Sequence, residues 1–361
     1  MSKLRVAYIS GGEADNDFVK QQLEGVDHDF DAYVCKSDGE TIEAVKGADV
    51  IINQGVAMPR SVIEEIDNAQ AVVSFGHGFN HIDHEAATDQ SLMVVNTAGF
   101  CTEEVSNHAI MLLLACAKKL TILNDLTKSG KWGPDTRAAL MPMAQITDQV
   151  LGLVSLGNIG RAVARKAQAL GMTVIAYDPY VQPWIAREYR VELRPSLTDV
   201  AQNSDFVSMH TPLSNQTTKL VGADFFKAMK TSAYFVNTCR GGTVDEEALI
   251  AALQNGEIAG AGLDVFEVEP TSPDNPLFKM ENVMVTPHSA GSSSRSRVAS
   301  QVQVGQEAAR LLSGTWPMSL VNPEVRAKID MRTPATRDYP SKMCWLVMNW
   351  PTHPSYSLKV Y

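Results

Sequence analysis

Short apolar runs rich in β-branched residues return along this chain, each separated from the next by an amphipathic stretch. "LRVAYIS", "DVIIN", "AVVSF" and "MVVNTAG" form a first series, with "RSVIEEIDNA" among the helical segments between them. A second series begins at "LGLVS" and continues through "TVIAY", "DFVSM", "AYFVN", "IAGAGLDV" and "VMVTP". Runs apolar along their whole length are strands buried on both faces. Strand–helix alternation of this kind dictates a parallel sheet with helices on both sides. The expected fold class is therefore α/β, with two doubly wound parallel-sheet domains. Between the two series lies "TEEVSNHAIMLLLACAKKLTILNDLTKSG", which reads as one long helix with Thr102 as N-cap and Gly130 as stop.

A chain of 361 residues is long enough for two cores. Its net charge of -10 argues against nucleic-acid partners. No apolar run approaches the ~20 residues that span a bilayer. The N-terminus runs straight into a strand, so no leader peptide is expected. The five cysteines (35, 101, 116, 239 and 344) show no metal-ligand spacing, and free thiols in a cytoplasmic protein are the expectation. The segment from Met331 carries four prolines and five aromatic residues and cannot be one regular helix. It is expected to wrap over a domain, the alternative being a poorly ordered tail.

"VLGLVSLGNIGRAVARKAQALGMTVIAYDP" has the order of a dinucleotide fingerprint, G-x-G-x-x-G between a strand and a helix, with Ser155 in the first glycine position. Gly157 lets the backbone approach a pyrophosphate, and Gly160 lets the helix pack on the strand. Ser155 is tolerable there if its φ is negative, so Ser155→Gly is expected to change cofactor affinity by less than about tenfold. Asp178, directly after "TVIAY", suits the ribose hydroxyls and would repel a 2′-phosphate, so NAD is expected over NADP.

Further on stand "VNTCRGGTVDEEAL", "AGLDVFEVEP" and "NVMVTPHSAGSS". With these stretches, from about Ala71 to Asn322, the chain resembles the D-2-hydroxyacid dehydrogenase (D-isomer specific 2-hydroxyacid dehydrogenase) family. That resemblance implies a flavodoxin-like substrate domain (1–102 and 292–361), a Rossmann NAD-binding domain (103–291) and an active site in the cleft between them. It also implies a homodimer. The family's catalytic Arg, Glu and His match Arg240, Glu269 and His288. The chemistry agrees with those types: a guanidinium fork holds a carboxylate, a histidine exchanges a proton near neutrality, and a glutamate orients it.

The resemblance further implies cofactor contacts from Ser155, Gly157, Asn158, Ile159 and Gly160 at the pyrophosphate turn, with Asp178 at the ribose. Thr211, Pro212 and Thr217 in "HTPLSNQT" match the loop beside the adenosine. Thr238, Cys239 and Arg240 run along the nicotinamide, with Asp264 near its amide and His288 and Gly291 completing the set. Cys239 is a cofactor-loop residue in this reading, since hydride transfer needs no thiol nucleophile.

Gly76, His77 and Gly78 in "SFGHGFNHIDHEAA" match the substrate loop, whose backbone N–H groups are expected to hold the substrate carboxylate opposite Arg240. His81 and His84 are expected at the surface, and no metal is expected. "SNHAIM" around His108 departs from the family's "AE" at Ser106 and Asn107, which leaves the substrate side chain open. The function implied is hydride transfer between NAD(H) and a small 2-hydroxy or 2-oxo acid. Alternatives are an NAD-sensing protein of the C-terminal-binding-protein type, or a family member acting on another small anion.

Overall fold

The computed structural model describes residues 3–329 and 331, apart from 14, 135, 138–141 and 144. The chain divides into two compact units, one holding the residues up to Thr97 and those from Gln301 onward, the other Ala98–Ser300. The second division falls within the helix Ser294–Leu312. The proline- and aromatic-rich tail lies outside the described residues, apart from Met331.

The first unit holds five parallel strands: β1 (Leu4–Ser10), β2 (His28–Val34), β3 (Val50–Gln54), β4 (Ala71–Ser74) and β5 (Met93–Asn96). Their order is β2-β1-β3-β4-β5, the flavodoxin-like arrangement. Successive residues on a strand face opposite ways, and here each face has its own core. Ala7, Ile9, Ile51, Val72 and Val94 pack on one side. Val6, Tyr8, Val50, Ile52, Val73 and Val95 pack on the other, against Val304, Ala308 and Leu311 of the last helix.

The second unit holds seven parallel strands: β6 (Val150–Val154), β7 (Thr173–Tyr177), β8 (Glu192–Leu193), β9 (Phe206–Met209), β10 (Tyr234–Asn237), β11 (Gly260–Leu263) and β12 (Val283–Val285). They run in the order β12-β11-β10-β9-β6-β7-β8. Counted from β6, this is the Rossmann order, with the reversal between β6 and β9. Leu151, Leu153, Val174, Phe206 and Val236 fill one face; Val154, Val207, Met209, Phe235 and Leu263 fill the other. Ligands of such sheets bind beyond the strands' carboxyl ends at that reversal. The glycine turn follows β6 there.

Three local expectations need correction. The helix from Thr102 is two helices, Thr102–Ala117 and Leu120–Lys128, broken at Lys119, whose φ is 50°. Only the first buries an apolar stripe; the second has no buried residue. Cys101, not Thr102, occupies the N-cap position. Ser155, finally, has φ of 80°, not the negative value expected of a tolerated serine.

Candidate active site

The glycine turn separates three backbone tasks. Gly157 has an ordinary φ of -69° and caps the helix Asn158–Ala169 with no side-chain bond. A Cβ on it would meet only Ser155 Oγ, at 3.9 Å. The space above it is open, and the helix's first N–H groups, which lack intrahelical acceptors, are available to an anion. A Cβ on Gly160, by contrast, would stand 2.5 Å from the Ser155 carbonyl oxygen, so that glycine serves helix–strand contact. Arg161, which motif reading passed over, braces the turn by donating to Leu156 O at 3.1 Å and Asn158 Oδ1 at 2.6 Å. Ile159 packs beside the cluster of Cys101, Val105 and Ala290.

Around this turn the predicted cofactor residues divide into bound and unbound side chains. Thr211 Oγ1 donates to Val154 O, and Thr217 Oγ1 donates to Pro212 O at 2.6 Å. Those hydroxyls shape their loop; they do not face outward as free donors. Thr238 is buried, and its Oγ1 has no hydrogen-bond partner among the described residues. Cys239 lies with its Sγ on Asn237 Oδ1, and burial pushes its thiol pKa up, which suppresses the thiolate. A cradle open at Gly157 and an orphaned hydroxyl at Thr238 fit a dinucleotide.

The side chains expected to be catalytic, Arg240, Glu269 and His288, are positioned from three strand ends. Arg240 follows β10, and the residue after it must be glycine: a Cβ on Gly241 would fall 1.9 Å from the Phe266 carbonyl carbon. That close approach sets the Arg240 backbone against the loop carrying Glu269, while Arg240 Nη1 donates to Cys239 O. Glu269 Oε1 accepts from Phe266 N at 2.9 Å, and Oε2 meets His288 Nδ1 at 2.6 Å. The two anchoring bonds fix the carboxylate and hence the ring. His288 itself has φ of 50°, a left-handed conformation uncommon for a residue other than glycine.

Asp264, fully buried at the end of β11, holds that conformation. Its main-chain oxygen accepts from His288 N at 2.8 Å. Its carboxylate accepts from Thr286 Oγ1 at 2.5 Å, Ser289 N at 2.9 Å and Ala290 N at 2.8 Å. His108 Nε2 lies 2.9 Å from Thr286 Oγ1 and 3.5 Å from Asp264 Oδ1. Asp264 thus organises the loop around His288. Thr286, Ser289 and His108 are members of that network, which motif reading did not find. At Gly291 a Cβ would meet Cys101 Sγ at 3.4 Å, so this glycine serves packing as well.

The first-unit loop departs from expectation. Gly76, with φ of 91°, donates its N–H to Thr97 Oγ1 at 2.8 Å, so that amide is already bound. Asn96 Nδ2 donates to His77 O, and Gly78 follows. His81 and His84 are half-buried and not surface side chains: Nε2 of His81 lies 3.3 Å from Ser74 Oγ, and His84 meets the Phe79 ring edge-on. Among the described residues, no group of three His, Cys, Asp or Glu is placed to hold a metal ion. No described helix is long and apolar enough to cross a membrane.

The family model "D-isomer specific 2-hydroxyacid dehydrogenase, NAD binding domain" matches residues 110–290. The chain is 37% identical over 285 residues to a glyoxylate reductase of Korarchaeum cryptofilum, covering 79% of this chain and 86% of that protein. It is 34% identical to a D-3-phosphoglycerate dehydrogenase of Methanocaldococcus jannaschii, of whose length it spans 53%. An NADPH-dependent glyoxylate/hydroxypyruvate reductase from Sinorhizobium meliloti, solved with NADP and malonate, superposes with a TM-score of 0.78 at 28% identity. That comparison covers 92% of this chain and all of the other. A Rossmann-ordered sheet, an open glycine turn and an Arg–Glu–His set at its strand ends therefore agree with the sequence relationships: the chain is an NAD-binding oxidoreductase and belongs to the D-isomer specific 2-hydroxyacid dehydrogenase family.

Proposed function

We propose that this protein interconverts a small 2-oxo acid and its D-2-hydroxy acid, with NADH preferred over NADPH. The observation that carries the reading is the 2.6 Å contact between His288 Nδ1 and Glu269 Oε2. It commits Nδ1 to the carboxylate and leaves Nε2 as the ring nitrogen that exchanges a proton with the substrate oxygen. Glu269, itself anchored by Phe266 N, fixes the orientation of the ring. Arg240 supplies the guanidinium for the substrate carboxylate and carbonyl oxygen. Gly157, the helix behind it and Thr238 hold the dinucleotide, which when bound gives or takes the hydride. Asp178, at the end of β7, accepts from the ribose and disfavours a 2′-phosphate.

Glyoxylate, named for several relatives, heads the substrate panel. The test follows absorbance of NADH and NADPH in parallel across 2-oxo acids of increasing side chain. The reading predicts turnover with NADH and a clear preference over NADPH. Absence of turnover with every 2-oxo acid, despite NADH binding, would contradict it. We further propose a homodimer, supported by the helix Leu120–Lys128, which buries none of Leu120, Ile122, Leu123 and Leu126. Sedimentation at micromolar concentration tests this, with a monomer as the contrary result.

A further inference from the structure

Asp178 already uses every acceptor position of its carboxylate. Tyr180 N and Val181 N donate to Oδ1 at 2.9 and 3.0 Å. Leu156 N donates to Oδ2 at 2.8 Å, and Ser155 Oγ donates to the same oxygen at 3.2 Å. An ionised carboxylate offers about four lone-pair sites, so these donors fill it. Three of them are main-chain amides fixed by their turns. The serine hydroxyl is the longest contact, and it alone can leave by rotation about one side-chain bond. It also borders the open space over Gly157.

We propose that Ser155 is a specificity-determining residue of the nucleotide site, its hydroxyl competing with a cofactor ribose hydroxyl for Asp178 Oδ2. The inference rests on Asp178 being the ribose acceptor, as proposed above. A ribose hydroxyl donates to Oδ2 only when Ser155 Oγ turns away, and the bond given up weakens binding by that amount. A 2′-phosphate brings no donor for Oδ2 and meets the same negative charge, so loss of the serine hydroxyl does nothing for NADPH. Ser155 therefore narrows the margin between the two cofactors. Its left-handed φ of 80° is a separate matter, relieved only by glycine. Alanine keeps that backbone cost and removes the hydroxyl alone.

The test is fluorescence titration with NADH and with NADPH for the unmodified protein, Ser155→Ala, Ser155→Gly, Asp178→Ala and Asp178→Asn, with melting temperatures alongside. Both Ser155 variants are expected to bind NADH about fivefold more tightly, the scale of one exchanged hydrogen bond, with NADPH affinity unchanged. Only Ser155→Gly is expected to melt higher. If Ser155→Ala leaves the NADH/NADPH ratio unchanged while the Asp178 variants collapse it, the serine inference fails and the ribose reading stands. Tightening confined to Ser155→Gly also overturns the inference, since backbone strain then explains it. If the Asp178 variants retain the ratio, the ribose reading fails and the serine inference with it.

Discussion

The glycine turn after β6 and the proposed proton site at the ends of β10, β11 and β12 belong to one unit but are built in opposite ways. The turn is made of backbone: a helix N-terminus with no side-chain cap bond, a glycine facing open space, and a second glycine pressed on Ser155 O. Its parts lie within a few residues of one another. The proton site is made of side chains from separated segments, held by a buried carboxylate that collects Thr286, Ser289 and Ala290. A backbone site depends on the residues that keep side chains out. A side-chain site depends on the groups that aim the reacting one. Substitutions in the two regions should therefore fail differently.

The largest effect is expected at the reacting group. His288→Ala should lower the maximal rate by about 10²–10⁴-fold, the usual contribution of a positioned acid–base group. Steady-state kinetics with the best 2-oxo acid measures this; a fully active variant would put the proton elsewhere. Next comes Asp264→Asn, which acts through the loop that holds His288. One amide oxygen cannot accept every bond the two carboxylate oxygens now take, so His288 shifts. A loss of about 10²-fold in kcat is expected, the scale of an ångström's misplacement. Unchanged kcat in a normally folded variant would remove Asp264 from its positioning role.

In the backbone-built region the expected loss is stability. Gly160→Ala places a methyl 2.5 Å from Ser155 O, and overpacking of this kind costs about 1–3 kcal/mol. Urea denaturation checks it, and an undiminished midpoint would show that the helix can shift. A pH-dependent effect concerns His210, packed beside the turn with its Nδ1 unpartnered among the described residues. Burial lowers its pKa from 6.5 to about 3. The unfolded chain then binds the proton first as pH falls, so the stability from neutral His210 is complete above pH 6.5 and declines below it. The slope reaches at most about 1.4 kcal/mol per pH unit. His210→Gln should flatten the melting profile between pH 6.5 and 4, and an identical profile would exclude His210 as its source.

The same contrast decides what could be read from the chain alone. The strands within "AVVSF" and "DFVSM" are legible because both faces are buried and apolar residues dominate, with one small buried serine in each. β2 was not, since as an edge strand it carries Asp29 and Asp31 among its apolar residues and offers no continuous apolar run. The break at Lys119 was hidden because the apolar pattern runs on through Leu120; only the backbone angle reveals it. Gly157 and Gly160 followed from local spacing. The sign of φ at Ser155 did not, because nothing nearby in sequence fixes it. Arg240, Glu269 and His288 were legible through family motifs, whereas the His108–Thr286–Asp264 network joins residues remote in sequence and carries no spacing signal.

The central claim is that dinucleotide binding is a property of the turn and proton transfer a property of the side-chain set. NADH titration of His288→Ala and Gly157→Val, side by side with the unmodified protein, tests it most directly. Gly157 has room for a side chain within the protein, so the valine variant should fold and yet lose NADH affinity by about 10²-fold or more, its side chain standing where the pyrophosphate lies. His288→Ala should bind NADH within about twofold of the unmodified protein, since its loss is in the reacting step. Equal losses of affinity in the two variants, or undiminished binding by Gly157→Val, would contradict the account.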